Sequence, residues 1–302
     1  MKRIAAGLAL AAILSACSDT PAPTRAFDGA AALRYAGEQV AFGPRVPGTE
    51  GHRRTSAWLD SLLRARADTV MVQQWTHVTT RGDSLPLVNL LARFNTAASE
   101  RILLLAHWDT RPFSDGPGAA PGDSAKPVPG ANDGASGVAV LLGVADALRL
   151  APPGVGVDLL FVDGEDYADF TNQPKDVLIG SRYYALHQLA PRPLYAVLFD
   201  MVGDSDLRIP REGNSAIGAP EVVSLVWGVA RERGHGGVFV DDLGTALTDD
   251  HVELQKVGIR AIDVVDFQYP HWHTPNDTMD KISARSLGIV GEVALALIQR
   301  AE

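Results

Sequence analysis

The run Val157-Asp158-Leu159-Leu160-Phe161-Val162-Asp163-Gly164-Glu165-Asp166 constrains this chain more than any other stretch. Its first six residues are mostly apolar and β-friendly, and a glycine closes them. A short apolar run that stops at glycine reads as a buried strand ending in a turn. The adjacent carboxylates of Glu165 and Asp166 therefore sit at a sheet edge. Side by side they repel, and a nearby positive charge would keep both ionised. A metal ion is one such charge. An acidic turn in water is the plainer reading of the pair taken alone.

The surrounding pattern supplies a fold. Ala31, Leu33, Ala36 and Val40 mark a first helix from Phe27, broken by Gly43-Pro44-Arg45-Val46-Pro47-Gly48. A second helix is expected over residues 50–64, with Trp58, Leu59, Leu62 and Leu63 inward. Strands are expected over 69–77, 86–94, 101–106, 157–162, 194–199, 238–240 and 259–265. One helix is expected within 132–150, and others over 178–189, 220–233, 251–256 and 283–300. Strands alternating with helices imply right-handed crossovers and a mostly parallel sheet covered on both faces. The early strands read as a hairpin that adds an antiparallel edge. The expectation is one α/β domain, with no internal repeat. Residues 110–130 are rich in Pro, Gly and Asp and lack apolar periodicity. A connection this long inside a compact domain is generally functional or disordered.

Composition narrows the function classes. The chain has 302 residues, of which 46% are hydrophobic and 21% charged, with a net charge of -9. Beyond the N-terminus no Lys/Arg cluster occurs, which argues against nucleic-acid binding. Met1-Lys2-Arg3, the apolar run to Leu14 and Ser15-Ala16-Cys17 have the layout of a secretory signal. Cys17 is the sole cysteine, so intrachain disulfides are excluded. Leu14-Ser15-Ala16-Cys17 resembles the lipobox of bacterial lipoproteins. That resemblance implies cleavage before Cys17, a lipid on its sulfur and, with Ser18 following, outer-membrane retention facing the periplasm. A free thiol in a signal cut elsewhere is the alternative. The expected organisation is a signal over 1–16, a tether over 17–26 and a catalytic domain over 27–302.

Polar residues just past the apolar runs form a constellation. His107 and Asp109 follow the run 101–106; Asp133 precedes a helix; Glu165 and Asp166 follow 157–162; Asp200 ends 194–199; Trp272 and His273 follow 259–265. Open α/β sheets build their sites at such strand ends. Imidazole and carboxylate ligands suit zinc, and a catalytic site keeps one position open. Taken singly, His107 reads as a structural histidine, Asp133 as a turn or helix cap, and Asp200 as a loop cap. Of Glu165 and Asp166, one can bind metal while the other works as a proton shuttle.

These residues resemble the zinc-aminopeptidase superfamily. Within it, "HWDTRPF", "PVPGANDGASGV", "DGEDY", "GSRYYA", "TDDH" and "YPHWHTPNDTMDKIS" resemble the bacterial glutaminyl-peptide cyclotransferases, the glutaminyl cyclases. The resemblance runs from about Gly43 to the C-terminus. It implies a single zinc on Asp133, Asp166 and His273, with Glu165 as general acid/base and Asp200 and Asp249 in a catalytic hydrogen-bond network. It implies a pocket lined by Trp272, with Tyr269 expected beside it. Peptide or protein N-termini would be the substrate, and membrane contact would come only through the lipid on Cys17. Likeness to the aminopeptidases would instead make His107 and Asp200 ligands of a second zinc, with Asp133 bridging. Asp249 and Trp272 favour the cyclases, although Asp249 also reads as a helix cap and Trp272 as core packing. Two departures from the animal cyclases are Asp166, where they carry Glu, and Asp263, where they carry His.

Overall fold

The computed structural model describes residues 25–302. The expected signal segment and Cys17 lie outside the described residues. The chain runs α1 (Gly29–Ala41), α2 (Glu50–Arg64), β1 (Thr69–Val78), β2 (Ser84–Phe94), β3 (Arg101–His107), α3 (Ala135–Leu150), β4 (Gly156–Val162), α4 (Ile179–Leu186), β5 (Ala196–Asp200), β6 (Ile209–Arg211), α5 (Gly213–Gly218), α6 (Pro220–Glu232), β7 (Phe239–Leu243), α7 (Asp250–Lys256), β8 (Ala261–Val265) and α8 (Ala284–Ala301). The main sheet has the order β1-β2-β4-β3-β5-β8. β4, β3, β5 and β8 are parallel, while β1 and β2 join antiparallel at one edge. The expected fold class is therefore the observed one.

Alternation along the strands assigns the two faces. Ile102, Leu104 and Ala106 of β3 pack into the larger core with α1, α3, α6 and α8. Leu103 and Leu105 point the other way, toward Tyr184 of α4 and Leu254 of α7. Successive side chains of a strand face opposite sides, so an apolar run without polar interruption demands cover on both. α3 lies between the sheet and other helices, which is why it is apolar nearly all round.

Register brings the strand ends together. His107 pairs with Val162 across β3 and β4, and Asp200 pairs with Val265 across β5 and β8. The residues that follow each strand thus emerge along one edge. Two boundaries matter there. α3 begins at Ala135, after Asp133 as expected, because Gly134 stands at φ 92, outside the helical region. That leaves Asn132 and Asp133 in the loop. α4 ends at Leu186, short of Leu189.

Candidate metal centre

The strand-end residues converge on one buried cluster. His107 Nε2 lies 3.0 Å from Asp200 Oδ1 and 3.2 Å from Asp133 Oδ1. His273 Nε2 lies 3.2 Å from Asp166 Oδ1 and 3.6 Å from Asp133 Oδ2. Two triads able to hold a metal result, His107–Asp133–Asp200 and Asp133–Asp166–His273, with ligand atoms within 4.8 Å of one another. They share Asp133. Glu165 stands outside both, its Oε2 3.7 Å from His107 Nδ1.

The donor set fits a cation. Oδ2 of Asp133 and Oδ2 of Asp166 are buried and have no hydrogen-bond partner. Buried polar atoms are normally satisfied, so such orphans ask for a ligand. Charge makes the same point. Burial, with Asp166 and Asp200 nearby, raises the Asp133 carboxyl despite His107. Burial, then Asp166, Asp249 and Asp250, hold Glu165 well above its ordinary value against His107. Asp200 and Asp249 are raised too, first by burial. Asp166 alone is lowered: burial works against it, but His273 and Arg111 prevail. A site this crowded with carboxylates is short of positive charge, which a divalent ion supplies.

Backbone features aim the ligands. Asp277 accepts from the backbone N–H groups of Asn132 (2.8 Å) and Asp133 (3.0 Å), fixing the turn that carries Asp133. Asp109, expected near the site, ligates neither triad; its two oxygens accept from the N–H groups of Glu165 (3.1 Å) and Asp166 (3.2 Å). It orders the turn on which the paired acids sit. His273 adopts φ 54, a left-handed conformation uncommon for a residue with a side chain. Such strain persists where surroundings enforce it. Here Gly116 donates to the His273 carbonyl at 3.0 Å.

A cavity of about 210 Å³ opens beside the cluster. Glu165, Asp200 and Asp249 line it together with Trp272, Phe267, Leu247 and Phe170. Its size is small for a drug-sized ligand and suits one short side chain. Trp272 stacks on the His273 ring at 3.8 Å, so it is both wall and support. Asp249 caps α7 by accepting from the Asp250 N–H and also lines the cavity, so cap and site are not exclusive. Tyr269, expected beside Trp272, does not itself line the cavity: it is buried in the apolar cluster behind the wall with Met201, Leu247, Phe267 and Trp272, and its hydroxyl donates to Asp277 at 2.7 Å. Phe267 stands on the wall instead, and Tyr269 acts on Asp133 through Asp277. Asp263 is fully buried beneath Asp249, and burial, then Asp249 and Asp200, push it well above the ordinary carboxylate range.

The sheet and its strand-end cluster define a metallopeptidase-type α/β domain. The chain belongs to peptidase family M28, whose family model matches residues 89–298. Among solved structures it is similar to the glutaminyl cyclase of Porphyromonas gingivalis, at 35% identity and a TM-score of 0.87, covering 92% of this chain and 100% of that one. It is equally similar to a leucine aminopeptidase precursor from Bacteroides thetaiotaomicron VPI-5482, at 34% identity and TM-score 0.87, covering 92% and 99%. Aminopeptidase YwaD of Bacillus subtilis (strain 168) is 22% identical over 253 residues, 80% of this chain. The chain spans about half the length of that curated relative, 49% of it.

Proposed function

We propose that this protein cyclises the N-terminal glutamine of peptides to pyroglutamate and releases ammonia. The observation that carries the reading is Asp249, which lines the same cavity as Glu165, Asp200 and Trp272. Likeness to bacterial glutaminyl cyclases over nearly the whole chain supports it. In this reading Asp133, Asp166 and His273 hold one zinc ion. When bound, zinc supplies Lewis-acid polarisation of the side-chain amide carbonyl.

The chain's own residues do the rest. The cavity walls, Trp272 and Phe267 among them, hold the glutamine side chain folded toward its own α-amine. Bringing the two ends together makes the attack intramolecular, which lowers the barrier without a second nucleophile. The amine nitrogen bonds to the amide carbon. Glu165 takes the proton that the amine loses and delivers it to the departing nitrogen. The carbon–nitrogen bond of the side-chain amide breaks, and ammonia leaves. The raised affinity of Glu165 for protons suits both halves of that exchange. Asp249 and Asp200 hold Glu165 and the leaving nitrogen in place, and Asp263 beneath Asp249 stands where animal cyclases carry histidine.

The complete second triad keeps a di-zinc aminopeptidase as the rival reading. There, a second metal on His107, Asp133 and Asp200 would help activate a water, and Glu165 would take the proton that the water loses. A peptide beginning with glutamine separates the two: the cyclase releases ammonia, and the aminopeptidase releases free glutamine. Anchoring belongs to the proposal as well. The basic start, apolar run and Cys17 support a lipid-anchored envelope protein. Incorporation of labelled palmitate, lost in Cys17→Ala, tests it.

A further inference from the structure

Each half of the cluster should be equivalent if both triads bound metal equally well, and they are not. Arg111, buried at 2% exposure, reaches into one triad only. Its Nη1 donates to Asp166 Oδ1 at 2.6 Å and to the Ala168 carbonyl at 2.9 Å. Its Nε and Nη2 donate to the two oxygens of Asp115 at 2.7 and 2.6 Å. Asp115 Oδ1 in turn accepts from His273 Nδ1 at 3.1 Å. One guanidinium thus grips one ligand directly and a second through a carboxylate.

The consequences are specific. Arg111 occupies Asp166 Oδ1 and leaves Oδ2, the orphaned oxygen, free for a ligand. A carboxylate against His273 Nδ1 favours a proton on that nitrogen, which leaves Nε2, the atom that faces Asp133 and Asp166, as the one to ligate a metal. A carboxylate on the far nitrogen of a ligating histidine orients the ring and raises its basicity. The other triad has no such support. His107 Nδ1 is buried without a hydrogen-bond partner, and the nearest oxygen of Asp109 is 3.6 Å away.

We propose that Arg111, acting through Asp115, is the positioning residue that makes Asp133–Asp166–His273 the tight zinc triad, in preference to His107–Asp133–Asp200. The inference rests on the reading above that this triad holds the zinc, and it explains why the loop over residues 110–130 is long. The loop leaves β3 with Arg111 aimed at the turn after β4, then doubles back so that Asp115 and Gly116 meet His273. Gly116 has no room for a side chain, since a Cβ would lie 2.0 Å from the Trp272 carbonyl oxygen.

The test is zinc affinity of the full chain, measured by competition with a fluorescent chelator, with zinc as the only probe. Arg111→Met should weaken zinc about 10–100-fold, the usual cost of losing an outer-sphere partner. Asp115→Asn, at a half-exposed position that tolerates change, should weaken it in the same direction. Arg111→Lys should fall between, because an ammonium keeps the charge and loses the fork. Wild type should bind a first zinc more tightly than any second, because only one triad has this support. Unchanged affinity in folded Asp115→Asn and Arg111→Met overturns the proposal. So does a wild type that binds two zinc ions with equal affinity. No substrate enters this measurement. A zinc-loaded wild type that releases free glutamine would therefore overturn the cyclase reading and leave the affinity result standing.

Discussion

Replacing Glu165 by Gln isolates the proton carrier from everything else in the site. The substitution keeps the shape of a side chain that is only 7% exposed. Glu165 belongs to neither triad, so zinc content should stay at the wild-type level. A positioned general acid/base contributes about 10²–10⁴ in rate. The expected fall in kcat is therefore about 10²–10⁴, or about 3–5 kcal/mol of barrier. The structure adds a second, independent signature. Burial and then the charges of Asp166, Asp249 and Asp250 raise Glu165 in the folded protein. An acid whose folded value is raised destabilises the fold as pH climbs from its ordinary value of 4.5 through the raised one. Above that window the cost is fully present; below it both states are protonated and the cost vanishes. In metal-stripped protein Glu165→Gln should accordingly melt higher than wild type at neutral pH, and the two should converge near pH 4.5. Ammonia release, zinc by elemental analysis and thermal melts on the same samples check all three. Turnover within tenfold of wild type, with zinc retained, would refute the role of Glu165.

Asp249→Asn separates cap from chemistry, because Asn caps a helix as well as Asp does; kcat should still fall about 10–100-fold, in line with the 1.5–3 kcal/mol of a hydrogen bond to a charged group, while the melting temperature should not fall, since the carboxyl removed is one that burial raises. Trp272→Ala removes the wall that stacks on His273, and KM for a Gln-dipeptide should rise roughly tenfold, read from steady-state kinetics. Gly116→Ala forces a Cβ against the Trp272 carbonyl. It should cost about 1–3 kcal/mol of stability by thermal melt and weaken zinc at the same time, since the displaced backbone carries His273.

The sheet was legible because its strands are apolar runs with little to confuse them. β3 and β4 are buried at every position, and the expected spans over 101–106 and 157–162 lie within one residue of those observed. The buried cluster was legible for the same reason: His107 and Asp200 end β3 and β5, and the Glu165–Asp166 pair follows β4. β6 and α5 escaped notice. Ile209-Pro210-Arg211 is too short for periodicity, and Gly213–Gly218 is nucleated by Glu212 accepting from Asn214 and Ser215. Tyr269 packs behind the wall rather than on it, since proximity in sequence to Trp272 says nothing about which way a ring turns in a loop. What sequence hid most completely was the supporting layer. Arg111 sits in plain view in "HWDTRPF", yet its partners Asp166 and Asp115 meet it only through the path of a loop without periodicity. Arg45 is similar: its guanidinium donates to the carbonyls of Trp108, Pro129 and Gly130, tying both ends of that loop. Charge within a Pro/Gly-rich break gives no hint of such a partner.

The central claim is a single-zinc cyclisation, and one sample can decide it. Zinc-loaded protein is given a dipeptide that begins with glutamine, ammonia and free amino acid are quantified together, and zinc is counted per chain. The account predicts one ammonia for each peptide consumed, no free glutamine, and one tightly held zinc. Free glutamine without ammonia, from protein carrying two zinc ions, would contradict it.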